Sequence, residues 1–150
     1  MQAQMLAPAA VLVLWSLIML LWVVVTRFPA FKKAGVDLGT AEPGGRYQDN
    51  EAAMPASVNW KSHNFTHLME QPTIFYPTVI ILAIMGSGAI DVLAAWIYVG
   101  LRIAHSLWQS IINTIPMRFM LYLLSTIALL TLAVRAVMAT LLFDPSVVPA

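Results

Sequence analysis

Tyr98, Arg102, His105 and Gln109 recur at spacings of four, three and four residues within an otherwise apolar run. That rhythm lays all four on one face of a helix. An arginine near mid-bilayer costs at least about 2.5–3.5 kcal/mol on insertion scales, so it persists only where partners or a cavity stabilise it. The stripe therefore marks either a polar seam between helices or a ligand site. Upstream, His63, His67 and Glu70 stand four and three residues apart, again on one face. They form a polar wall toward the first stripe, or a satisfied interhelical network; two histidines with a carboxylate also carry the donor set of a zinc site. Downstream, Arg118 follows Pro116 by two residues, in the first turn of a helix, where unpaired amides and the helix dipole favour an anion. A guanidinium there stabilises a carboxylate or thiolate, or, as a membrane-border residue, contacts lipid phosphate. Tyr122 and Ser125 continue the same face at spacings of four and three.

The elements that must position these groups follow from composition. Of 150 residues 60% are hydrophobic and 10% charged, far below the charged share of about 25% in soluble domains. The length suits a single domain of about four membrane helices of roughly 20 residues each. A net charge of +1 excludes a nucleic-acid partner, because no basic face exists to replace phosphate counterions. The chain has no cysteine, so any thiol chemistry must come from a bound ligand.

The apolar pattern predicts helices over residues 5–26, 61–85, 90–112 and 116–143, with a polar Gly- and Pro-containing loop over 27–60. No basic residue precedes the first run, which is near spanning length and lacks a convincing cleavage site, so a retained membrane helix is expected rather than a signal peptide. Pro72 and Pro77 fall inside the second helix as kinks, tolerated where neighbours re-satisfy the freed carbonyls. Arg27, Lys32, Lys33, Arg46 and Lys61 lie in or beside the first loop and Arg118 beside the third. The positive-inside bias then places those loops in the cytoplasm and both termini outside it. At about 1.5 Å per residue, Glu70 and Arg102 fall roughly 13 and 15 Å from the cytoplasmic side, matched in depth for an ion pair. Asp91 and Arg135 match near the opposite face.

Taken together these residues resemble the MAPEG family (membrane-associated proteins in eicosanoid and glutathione metabolism). The resemblance is carried by His67-Leu68-Met69-Glu70-Gln71-Pro72-Thr73-Ile74-Phe75-Tyr76, by Arg102-Ile103-Ala104-His105, and by Arg118 sixteen residues after Arg102 with Tyr122 four later. It implies an all-α integral membrane protein, an up-down four-helix transmembrane bundle that assembles as a homotrimer, with glutathione as thiol co-substrate between adjacent subunits near the cytoplasmic side. It implies that Arg118 stabilises the thiolate, and that Arg27, His67, Glu70, Arg102, His105, Gln109 and Tyr122 hold the peptide or its polar surroundings. No metal is implied. A lipophilic small molecule entering from the membrane lipids would be the second substrate, and the activity that of a transferase or peroxidase. Gln109 stands where glutathione-binding members often carry tyrosine, His67 where many carry asparagine, and Phe119 where one branch has a serine. A non-catalytic lipid-binding or scaffold member of the same fold is therefore the alternative. The lack of an organellar address is compatible with a bacterial inner membrane.

Overall fold

A computed structural model describes residues 2–37, 39–40 and 42–143; the tail after Phe143, whose lack of basic residues enters the topology reading, lies outside them. The described residues form α1 (Gln2–Ala34), a short 3-10 helix (Tyr47–Ala53), α2 (Ala56–Glu70), α3 (Pro72–Met85), α4 (Ala89–Ile111) and α5 (Ile115–Leu141). Helices α2 and α3 continue one another as one span, giving four helices long and apolar enough to cross a membrane. The protein is an all-α, up-down, four-span membrane bundle.

Local chemistry sets each boundary. Pro72 opens α3 and Pro116 opens α5 within their first turns, where a missing amide costs nothing. Gly86, at φ +95°, closes α3 in the left-handed region where a side chain would be strained. Asp91 folds its carboxylate back to accept the Gly88 amide at 2.7 Å, capping the start of α4.

Helix α1 presents Met5, Leu12 and Met19 to the core at seven-residue intervals, each with no exposed area, and leaves most of its remaining apolar residues outward. It packs on α2, α3 and α4, whereas α5 packs on α3 and α4. Phe75 of α3 stacks on Tyr98 of α4 with centroids 4.3 Å apart, joining the kinked span to the buried stripe. The outward Leu, Ile and Val side chains are what a lipid-facing surface requires.

Two expectations are corrected. The first helix does not stop at Arg27 but continues through Pro29 to Ala34. Beyond the apolar run it is held by packing: Ala30 and Phe31 are buried against Met54, and Arg27 is buried with its guanidinium donating to Ser62 of α2. The first loop is correspondingly shorter and structured, since α2 begins at Ala56 and the 3-10 helix docks through Glu51, which accepts from Asn59 Nδ2 at 2.8 Å through its carbonyl and meets His63 Nε2 at 2.9 Å through its carboxylate.

At the opposite end, Arg135 of α5 grips Asp91 through two nitrogens, Nε and Nη2. Asp91 is 2% exposed, whereas the Arg135 side chain is 39% exposed. The depth-matched pair expected from sequence is thus present, and it ties the α3–α4 turn to α5. Removing the arginine strands a buried carboxylate, which costs about 3 kcal/mol or more. Arg135→Met should therefore lower the melting temperature of the detergent-purified protein more than Asp91→Asn/Arg135→Met does. Equal melting of the two variants would show that the pair does not hold this end.

Candidate functional site

The polar stripe of α4 is buried along its length: Tyr98 and Arg102 have no exposed area, Gln109 is 1% exposed and His105 3%. Arg102 meets α2 where that span is broken. Arg102 Nη2 donates at 2.7 Å to His67 O, in the turn before Pro72. The rest of the guanidinium is unspent, with Nε and Nη1 buried and unpartnered among the described residues. Its Cζ lies 5.9 Å from the Tyr122 ring centroid, close enough for a cation–π contact.

Beside this arginine a cavity of about 410 Å³ opens, lined by His67, His105, Ile115, Arg118, Phe119 and Tyr122. Its aromatic rings form a continuous wall. His67 meets His105 edge-on at 6.1 Å, and His105 faces Tyr122 at 6.2 Å. His105 Nδ1 and Arg118 Nε are buried without partners. Two guanidinium groups with unsatisfied N–H donors thus stand at or near one small cavity, and the Glu70 carboxylate meets His67. Such a set of donors suits an anion carrying oxygen or sulfur. Its size lies within the range of small-molecule sites.

A family model describing the MAPEG family matches residues 5–138. The chain belongs to the MAPEG family. No curated protein and no solved structure matches it. Members of the MAPEG family are glutathione-related membrane enzymes or related proteins, so the family gives the class of chemistry to weigh against this cavity, not an activity.

The residues singled out from sequence divide by position. His67, His105, Arg118 and Tyr122 line the cavity together, and the Arg102 guanidinium lies 5.9 Å from the Tyr122 ring. Glu70 lines an adjoining cavity of about 480 Å³ between α3 and α5, which shares Tyr122 and is otherwise mostly apolar. Arg27 lines neither cavity, and Gln109 is enclosed between helices with Oε1 unpartnered. The depth-matched pair of Glu70 with Arg102 does not form. Glu70 instead turns back one helical turn, Oε2 lying 3.1 Å from His67 Nδ1. His63 is engaged by Glu51 rather than by His67, and among the described residues no group of three His, Asp or Glu side chains is placed to hold a metal ion.

Gln71 and Asn64 matter to the site and were not singled out as site residues. Gln71, at the kink, donates to Thr126 Oγ1 at 2.8 Å and accepts from Tyr98 at 3.4 Å, with Ser125 Oγ at the same distance. Ser125 and Thr126 both donate to the carbonyl of Tyr122, each at 2.8 Å. Gln71 thereby fixes the turn of α5 that presents Tyr122. Asn64, with no exposed area, donates to Ser106 at 2.7 Å, and Trp15 donates to the same oxygen at 3.0 Å, fixing α1 and α2 against α4. The signal for Gln71 was its place before Pro72 in an apolar stretch, where an amide must find partners. Gln71→Leu leaves the buried Tyr98 hydroxyl without its partner and removes the donor to Thr126, for a loss of about 1–3 kcal/mol. It should lower the melting temperature and speed backbone hydrogen exchange around Tyr122; unchanged exchange there would show that α5 is positioned by packing alone.

Proposed function

We propose that the protein is a glutathione-dependent membrane enzyme, a transferase or peroxidase acting on lipophilic electrophiles. The observation that carries this is the cavity itself: Arg118 at its wall beside His67, His105 and Tyr122, with Arg102 near it and N–H donors left over. Unpartnered buried donors are costly unless a ligand or water meets them, and the carboxylates and thiolate of glutathione are anions of that kind. Arg118 pairs with the thiolate and lowers the free energy of the ionised sulfur. The sulfur then bonds to an electrophilic carbon of the second substrate, the bond to its leaving group breaks, and the leaving group departs with the electron pair. Tyr122 offers a phenolic O–H on the same wall. His67 and Glu70 orient the peptide, and the apolar reach of the adjoining cavity, with Ile74, Leu129, Leu130 and Ala133, accommodates a hydrocarbon substrate arriving from the bilayer.

Orientation and assembly belong to the same proposal. The basic residues cluster at the end of the bundle that carries Arg27 and Arg118, which supports a cytoplasmic position for that end and the cavity, with both termini outside. A homotrimer would cover Glu70, which is 59% exposed on its own chain at a depth where lipid would otherwise lie. The second reading is a non-catalytic lipid-binding member, favoured by Phe119 at the mouth of the anion cavity and by the apolar groove beside it.

Thermal melting of the detergent-purified protein separates the two. Glutathione at ten times its Kd should stabilise the wild type by about 1.4 kcal/mol, saturably, and Arg118→Ala and Glu70→Ala should weaken that shift. Arg118→Ala should also abolish conjugation of a lipophilic electrophile while the fold persists. Stabilisation by a lipid but not by millimolar glutathione would overturn the enzyme reading in favour of the second.

A further inference from the structure

The connection between α4 and α5 contains the one non-glycine residue with positive φ among those described, Asn113 at +61°. Its backbone closes α4 in the manner of a left-handed cap: the amides of Ile112 and Asn113 both donate to Trp108 O, at 2.9 and 2.8 Å. Glycine is the usual residue at such a position because it has no Cβ to strain. Asparagine tolerates the conformation, but it adds a side chain, and here that side chain has one use. Its Oδ1 accepts from Arg118 Nη1 at 2.7 Å. No other hydrogen bond to the Arg118 side chain is formed among the described residues, and Nε is buried without a partner. The turn is braced on its other side, Trp108 Nε1 donating to Thr114 Oγ1 at 2.9 Å and the Arg118 amide to Thr114 O at 3.2 Å. One guanidinium nitrogen is therefore tied to a rigid turn, and the planar fork of the others is fixed in direction.

We propose that Asn113 is a positioning residue for the cavity, holding the Arg118 guanidinium at its wall through a neutral carbonyl that leaves the positive charge for an anionic ligand. The choice of amide over carboxylate follows from the same contact. An aspartate would bond Arg118 equally well but would neutralise it, so that a thiolate or carboxylate would compete with a permanent anion. A glycine would keep the turn and release the arginine. The ligand half of this proposal rests on the glutathione reading above; the positional half does not.

Two readouts on Asn113→Gly and Asn113→Asp test the two halves separately. The first is the Nε–Hε resonance of Arg118 in protein labelled with 15N-arginine, identified by its loss in Arg118→Lys. It should be shifted and broadened in Asn113→Gly, which preserves the left-handed backbone, and should remain ordered in Asn113→Asp, which preserves the acceptor. The second is the ultraviolet absorbance of glutathione thiolate bound at neutral pH. It should be about tenfold weaker in Asn113→Gly and lost in Asn113→Asp. An Arg118 resonance untouched by Asn113→Gly overturns the positioning role whatever glutathione does. Full thiolate absorbance in Asn113→Asp overturns the electrostatic role. A wild type with no thiolate signal, but with an Arg118 resonance that responds to Asn113→Gly, refutes the glutathione reading and leaves Asn113 as the residue that holds Arg118.

Discussion

Arg102 lies roughly 15 Å from the Ile112 end of its span and has no exposed area. A charge at that depth is expensive in hydrocarbon and affordable only inside protein with partners. The bundle meets that demand in a specific way. Pro72 breaks the amide ladder of the facing span, the turn before it offers the His67 carbonyl, and Arg102 takes it at 2.7 Å. The kink and the buried cation thus meet at one level of the bundle. Their joint position decides where α2 and α4 come together, and hence where His67 and His105 face each other.

What remains of the guanidinium shapes the cavity. With Nε and Nη1 unpartnered, Arg102 contributes positive potential near a wall made by the two histidines and Tyr122. Arg118 contributes more from the start of α5, where backbone amides already favour an anion. The α5 helix must then be held at the right height. Gln71 does this from the kink through Thr126, and the Asp91–Arg135 pair does it from the far end. The cavity is therefore a consequence of how the spans are pinned at three levels.

Much of this was legible in the sequence because membrane spans obey few rules strictly. The apolar runs fixed the number of spans, and the period of the α4 stripe identified four residues that are all buried. The Asp91–Arg135 pair was found from depth alone because both residues also face each other. Depth failed for Glu70 and Arg102 because it says nothing about direction around a helix. Glu70 sits three residues after His67, and a side chain in a helix leans back toward the preceding turn, so the local pair formed instead. Helix α1 ran past its apolar segment because Ala30 and Phe31 pack against Met54, a contact between distant residues that no local pattern announces. Asn113 falls in the gap between the helices expected over 90–112 and 116–143, where the apolar pattern carries no signal. Its bond to Arg118 depends on a left-handed backbone that places its side chain across the turn.

The dependence of the proposed thiol site on the Arg102 anchor near the Pro72 kink is open to direct measurement. Its most direct test is equilibrium binding of radiolabelled glutathione to wild-type protein and to Arg102→Met, both in lipid nanodiscs and both shown to be helical and assembled alike. The wild type should bind saturably and Arg102→Met should lose that binding, because both the potential near the cavity and the tie to His67 are gone. Equal binding by a folded Arg102→Met protein would contradict the account and reduce the buried arginine to a structural rivet between two helices.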